Sequence, residues 1–264
     1  MGSILVISCW FGERFQRPIK IKSSQDFKEL VKYFLKSTTP LWVRNFLNIE
    51  SVVPKAPQCY KALFFTNNRR LKAEIISKGW TYQFWDGELG EGNSVGSSLL
   101  AKKVKFLQFS EDFIQHNFLG NYVVYLDSRR ITDQLSTLFN SGKDAAVLIR
   151  YTPRSKTNIW EEVEEAKEQE RYLRAMPQTI EYINRMLSSD DIKDEVRICN
   201  TGVIAYNFLS DHYILAIREL TNSVYETCLS LGQPECQIIW AIESQKYQSM
   251  IKHVEFDLVH TRDQ

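Results

Sequence analysis

Between Ala62 and Ile149, short apolar runs alternate with segments of helical spacing, and this alternation restricts the possible folds more than any other feature. Ala62-Leu-Phe-Phe-Thr66, Trp80-Thr-Tyr-Gln-Phe-Trp85, Tyr122-Val-Val-Tyr-Leu126 and Ala145-Ala-Val-Leu-Ile149 read as strands. Arg69 to Lys78, Ser97 to Phe109 and Ile131 to Asn140 read as the helices between them. A strand that is apolar at consecutive positions buries both of its faces, which an open sheet achieves when helices cover both sides. Strand–helix–strand units of this length set successive strands parallel. Ile4 to Phe11, a β-branched run ended by Gly12, supplies one more buried strand. The expected fold class is α/β, a mainly parallel twisted sheet flanked by helices.

The rest of the chain departs from that rhythm. Asp26 to Leu35 has helical spacing, and residues 37–57, with Pro40, Pro54 and Pro57, read as a long irregular connection. Asn158 to Met186 reads as a charge-rich helical region interrupted near Pro177. Arg197 to Asn207 reads as a strand with Gly202 inside it, Asp211 to Leu231 and Glu235 to Lys246 as helices, and Ile251 to Val259 as a last strand. Neither an internal repeat nor a low-complexity linker divides the chain, so residues 1–264 read as a single domain.

Charge narrows the partners. With 33 basic and 32 acidic residues the net charge is +1, without the basic excess that accompanies binding to a phosphate backbone, so no nucleic-acid partner is expected. No run approaches the roughly 18 apolar residues of a membrane span. Ile4 to Phe11 is too short for a signal-peptide core with its flanks. A soluble, cytoplasmic protein with no transmembrane segment is the expectation. The five cysteines are scattered and form no C-x-x-C pair, which fits buried free thiols.

Three places break the apolar pattern with chemistry. Asp127 follows a buried strand directly, and in open α/β sheets that places a carboxylate at the ligand crevice, where it can hold a divalent cation or a ribose hydroxyl, or else cap a helix. Asn200-Thr201-Gly202 is a polar interruption within a strand, as expected of a close ligand approach or a β-bulge. Glu235 follows Pro234 near a helix N-terminus, where a carboxylate is favoured in any case. Gly90-Glu-Gly92-Asn-Ser-Val-Gly96 has the wrong spacing for a dinucleotide loop and reads as an acidic–polar loop. Trp10, Trp80 and Trp85 stand near strand ends, where an indole can stack on a base or sugar.

These phrases, taken in order, resemble the GT-A-fold glycosyltransferases. Tyr122-Val-Val-Tyr-Leu-Asp127-Ser-Arg129 is similar to their hydrophobic strand and D-x-D, with Arg129 in the third position. Arg197-Ile-Cys-Asn200-Thr201-Gly202-Val resembles the N-(S/T)-G-(V/I) strand of the glycogenin-like and galactosyltransferase-like families. Gly232-Gln-Pro-Glu235-Cys-Gln237-Ile-Ile resembles their D-Q-D-x-(L/I) helix start, and Phe256-Asp-Leu-Val-His260 the late strand whose histidine completes a metal site.

The resemblance implies a GT-A-like domain transferring a sugar from a nucleotide-sugar donor to a glycan or glycoconjugate acceptor. The donor nucleotide would lie in about residues 1–150, the sugar and acceptor in about residues 151–264. It implies donor contacts from Phe11, Gly12, Thr66, Asn67, Lys102, Lys105, Asp127, Arg129, Thr201 and Gly202, with Glu235, Gln237 and Asn200 as catalytic groups. Asp127 and His260 would hold Mn²⁺ or Mg²⁺. Because a guanidinium cannot ligate a cation, Arg129 and Arg130 are the alternative clamp for the diphosphate. An inactive nucleotide-sugar- or carbohydrate-binding module and a sugar nucleotidyltransferase are the other readings of the same residues.

Overall fold

A computed structural model describes residues 3–12, 31, 52–86, 94–127, 130–131, 135, 143–154, 156–189, 192–255 and 259–260. Strand β1 (Ser3–Cys9) is followed by β2 (Lys61–Thr66), whose chain passes through a 3₁₀ turn (Arg69–Leu71) into α1 (Lys72–Ser77) and β3 (Thr81–Phe84). Helices α2 (Ser94–Lys105) and α3 (Glu111–Asn117) precede β4 (Asn121–Leu126), and the two-residue β5 (Arg130–Ile131) comes next. After β6 (Val147–Tyr151) come α4 (Ile159–Lys167), α5 (Glu170–Leu173) and α6 (Met176–Ser188). The chain then forms β7 (Cys199–Asn207), α7 (Asp211–Leu231), α8 (Cys236–Glu243), a 3₁₀ segment (Ser244–Met250), β8 (Ile251–His253) and β9 (Val259–His260).

Seven of these strands form one sheet in the order β3-β2-β1-β4-β7-β6-β8. Strands β3, β2, β1 and β4 run parallel, β7 is antiparallel to both of its neighbours, and β8 pairs parallel with β6. One reversed strand in seven makes the sheet mainly parallel, as the strand–helix alternation predicts. The pleat divides β1 cleanly: Leu5, Ile7 and Cys9 join the core under α2, α7 and α8, while Val6 joins the opposite core with Phe64, Ile75 and Trp80. Both faces are therefore covered, which is why the strands need no polar alternation.

Several sequence expectations change. Arg69 to Lys78 is a 3₁₀ turn followed by a short α-helix. Helix α2 starts at Ser94, so Gly96 belongs to a helix rather than the loop; Gly90 and Gly92 lie outside the described residues. Helix α3 was not expected; Ser110 caps it by accepting from the Phe113 N–H at 3.3 Å. The region after Asn158 is three helices, with Pro177 in the first turn of α6, where its missing N–H costs nothing. The single last strand is two strands in different sheets, because β8 adds to β6 while β9 pairs with β5. That pairing makes Ile131 a strand residue, not a helix start. The helices read over Asp26 to Leu35 and Ile131 to Asn140 otherwise lie outside the described residues, apart from Val31 and Leu135. The described cysteines are free thiols, and Cys9, Cys199, Cys228 and Cys236 are buried. Among the described residues no helix is long and apolar enough to cross a membrane.

Candidate active site

The chain leaves β1 to build β2 and β3 on one side and returns to β4 on the other, so the sheet has its switch point between β1 and β4. In open α/β sheets ligands bind beyond the carboxyl ends of the strands at such a point. Gly12 lies there past β1, Asn67 and Asn68 past β2, and Asp127 immediately past β4. Gly12 has φ +109°, and a Cβ built on it would stand 3.3 Å from the Ser97 hydroxyl of α2. Its N–H donates to Asn67 Oδ1 at 3.2 Å, and its carbonyl accepts from Asn68 Nδ2 at 3.1 Å. The turn after β1 is thus held in a conformation that suits glycine. Phe11 is buried in the core at 6% exposure, and Thr66 is fully buried, its hydroxyl accepting from the Asn68 N–H at 3.1 Å. Gly12, Asn67, Asn68 and Asp127 are partly open to solvent at this edge.

Because β7 runs backwards, its start lies at the carboxyl end of β4. Leu126 pairs with Val203, and the Asp127 N–H donates to the Gly202 carbonyl at 2.8 Å. On the other side of β7 the register jumps: Ile149 pairs with Ile204, but Arg150 pairs with Asn200. The β6–β7 ladder thus skips Thr201 to Val203 beside the paired Asn200, a bulge-like irregularity that sits at the crevice. Asn200 Oδ1 accepts from the Gly202 N–H at 2.9 Å, which closes the turn locally.

The α8 N-terminus meets this bulge. Gly232, at φ +60°, ends α7 with the Gln233 N–H bonded to the Cys228 carbonyl at 2.9 Å, a left-handed C-cap that turns the chain sharply. Glu235 then caps α8, accepting from the Gln237 N–H at 3.0 Å, while its own N–H donates to Gln233 Oε1 at 3.0 Å. Glu235 is therefore a helix cap, 9% exposed. Thr201 Oγ1 lies 3.2 Å from Cys236 Sγ, joining bulge to helix.

Two lysines of α2 face the same place. Lys105 is buried at 4% exposure; its ammonium contacts Thr201 Oγ1 at 3.4 Å, Cys236 Sγ at 3.5 Å and the Tyr125 ring face at 5.2 Å. These are weak partners for a buried cation. Burial pulls the Lys102 ammonium down, but the field of Cys236, Glu235, Cys228 and Asp127 more than offsets it, so Lys102 holds its proton more firmly than a free lysine. The crevice is thus positive on the α2 side, with carboxylates at Asp127 and Glu235.

Four contributors escape sequence reasoning. Glu162 of α4 is 4% exposed, accepts from Gln237 Nε2 at 2.8 Å through Oε1, and pairs with Lys156 through Oε2. Lys156 also bridges to Glu165 at 2.8 Å. Tyr172 of α5 bonds to Glu235, and Cys236 lies at the junction of bulge and helix. The acidic phrase Glu161-Glu-Val-Glu-Glu165 gives no sign that one of its carboxylates turns inward. Trp80, by contrast, is in the core and donates to the Pro54 carbonyl at 2.8 Å, so it is unavailable for stacking on a ligand.

His260 follows the apolar end of the chain into β9, where its backbone pairs with Arg130, three residues past Asp127. Arg129 lies outside the described residues. Among the described residues no group of three or more His, Cys, Asp or Glu side chains is placed to hold a metal ion.

No family model matches the sequence, and no curated protein matches it. Mouse xyloside xylosyltransferase 1 in its apo form is similar in structure at TM-score 0.40 and 12% identity, over 96% of this chain and 85% of that one. A CMP:2-keto-3-deoxy-manno-octonic acid synthetase complexed with CTP is similar at TM-score 0.36 and 10% identity, over 96% of this chain and 89% of that one. Likenesses at this level assign neither family nor reaction to the chain.

Proposed function

We propose that this chain is a GT-A-type glycosyltransferase that moves a sugar from a nucleoside-diphosphate donor to a hydroxyl of a glycan or glycoconjugate. The observation that carries the reading is the junction of Asp127 with the Asn200–Gly202 bulge, faced by Lys105 and the α8 N-terminus. Gly12 and Asn67 would border the nucleoside, with Phe11 and Thr66 supporting them from the core. Asp127, Lys102, Lys105 and the Thr201–Gly202 backbone would face ribose and diphosphate. Asn200 and Gln237 would border the transferred sugar.

The chemistry follows from charge. When the glycosidic bond breaks, negative charge grows on the departing diphosphate, and fixed cations in a partly dry cleft stabilise it strongly. Lys102 keeps its proton and meets that need, and the buried Lys105 gains the counter-charge that its described contacts lack. Asp127 and His260 lie on adjoining segments through the Arg130 pairing, and carboxylate with imidazole is a suitable donor pair for Mn²⁺. A cation held there would supply further neutralisation of the diphosphate. In an inverting reaction Glu235, which caps α8 and also bonds Tyr172, would take the proton of the acceptor hydroxyl.

A melting-point screen of nucleoside diphosphates and nucleotide sugars, followed by an assay of diphosphate release with an acceptor, tests the reading. A ligand at 100 times its Kd adds about 2.7 kcal/mol of stability. Release of pyrophosphate from a nucleoside triphosphate and a sugar phosphate would instead make this a sugar nucleotidyltransferase. A shift without turnover would leave a nucleotide-sugar-binding module. The absence of any shift would end the nucleotide reading.

A further inference from the structure

We infer that Lys156 and Glu162 set the orientation of the Gln237 side-chain amide, so that the site offers the sugar an acceptor oxygen and selects a sugar hydroxyl that donates. The inference rests on the reading of this crevice as a nucleotide-sugar site. Glu162 is a positioning residue in this scheme: it touches Gln237, not the reacting atoms.

The geometry is a buried relay. Glu162 projects from α4, is 4% exposed, and places Oε1 2.8 Å from Gln237 Nε2 on α8. Its other oxygen is paired with Lys156, itself 8% exposed, and the Lys156 ammonium reaches Glu165 Oε2 at 2.8 Å. An ionised carboxylate can only accept hydrogen bonds, and an amide has one donor end and one acceptor end. While Glu162 is charged, the Gln237 NH₂ must face it, and Oε1 must face away. Gln237 is partly exposed, whereas the relay behind it is buried, so Oε1 is the polar end left for a ligand. Burial, with Glu235 adding to it, holds the Glu162 carboxyl above the usual glutamate range, and the bonds and charge of Lys156 and the Gln237 bond offset only part of that rise. Lys156 in turn holds its proton more firmly than usual: its burial works against this, but its bonds to Glu162 and Glu165 prevail. With the Lys156 ammonium on its other oxygen, Glu162 presents Oε1 to Gln237 as an acceptor, and this fixes the amide orientation. Gln237 is fixed from its own helix as well, since its N–H is held by Glu235 at 3.0 Å.

Two measurements test this. In ¹H–¹⁵N spectra of the free protein, a Gln237 Nε2 proton should exchange with water at least about tenfold more slowly than that of an exposed glutamine, since it is held by a buried carboxylate. Glu162→Gln, nearly isosteric but able to present either a donor or an acceptor, should weaken that protection severalfold. Equal exchange in both proteins, or fast exchange in the parent, overturns the inference whatever the ligand proves to be. Calorimetry then compares the best nucleotide sugar of the melting screen with its monofluoro analogues, in which fluorine replaces one hydroxyl and cannot donate. One analogue should bind about tenfold more weakly to the parent. That loss should shrink severalfold in Glu162→Gln, whose amide can turn either way, while the bare nucleoside diphosphate binds both proteins equally. Identical losses in the two proteins, or weakened diphosphate binding by the variant, would sink the assignment. If no nucleotide or nucleotide sugar binds either protein, the reading of the crevice fails, and the exchange data still decide the amide orientation.

Discussion

The backbone N–H of Asp127 donates to the carbonyl of Gly202 at 2.8 Å, so the last bond of the β4–β7 ladder also joins the strand-end carboxylate to the bulge. The bond uses backbone atoms on both sides and survives truncation of the Asp127 side chain. Asp127→Ala is therefore expected to keep its circular dichroism and to change stability by less than about 1 kcal/mol. Sugar transfer should fall at least about 100-fold. An unfolded variant would show that the carboxylate serves the fold.

Lys105→Met should separate stability from function. The lysine is 4% exposed with a hydroxyl, a thiol and a ring face as described partners, and an apolar side chain of similar length fits such a place without the cost of burying charge. The expected melting temperature is equal to or above that of the parent, while nucleoside-diphosphate binding weakens by about tenfold or more. A strongly destabilised variant that still binds the diphosphate normally would refute the anion-site role.

Gly12→Ala is expected to destabilise by roughly 1–3 kcal/mol, since φ +109° is strained for any residue with a Cβ. The new methyl would also press on Ser97 Oγ at 3.3 Å. Adding Ser97→Ala removes the hydroxyl contact without placing a glycine in α2 but leaves the strain, so relative to Ser97→Ala alone Gly12→Ala should still cost most of the loss. Denaturant unfolding of the parent, both single variants and the double variant measures the partition.

Metal dependence is decided by activity in EDTA and in Mn²⁺ for the parent, His260→Ala and Arg129→Ala. A cation held by Asp127 and His260 predicts loss in EDTA, restoration by Mn²⁺, and a raised Mn²⁺ requirement in His260→Ala. Full activity in EDTA, abolished by Arg129→Ala and kept in His260→Ala, would make the arginine the diphosphate clamp instead.

His253 gives a pH signature. Its ring stacks on Tyr151 at 4.1 Å and 7°, Cys199 Sγ lies 3.5 Å from Nε2, and Arg197 covers the other face of Tyr151 at 4.0 Å. Desolvation, then the Arg197 charge, hold its pKa below 6.5. Near and below that value the unfolded chain binds the proton more readily than the native one, so stability falls as pH drops from 6.5 toward the lowered native pKa. His253→Phe should flatten the melting temperature across that window. An equally steep curve in the variant would assign the pH dependence to other groups.

Elements whose burial is local and continuous are legible in the chain before any contact is known. The runs in β1, β2 and β4 are apolar at consecutive positions, which only a sheet covered on both faces satisfies, and the 21-residue α7 carries its own period and its Gly232 stop. Asp127, Asn200 to Gly202 and Glu235 were legible as candidates because each interrupts an apolar phrase. What those residues meet depends on segments far away in the chain. The reversal of β7 brings the bulge to Asp127, and the pairing of β9 with β5 brings the His260 backbone to Arg130. Glu162 shows the reason most plainly. Its phrase Glu161-Glu-Val-Glu-Glu165 has the charge and period of a solvated helix face, yet Glu162 is buried while Glu161 and Glu164 are exposed. Periodicity states which side chains share a face of a helix, but the partner of that face comes from elements distant in the chain. Lys156 and Gln237 turn a carboxylate that water would otherwise solvate into a buried hydrogen-bond acceptor.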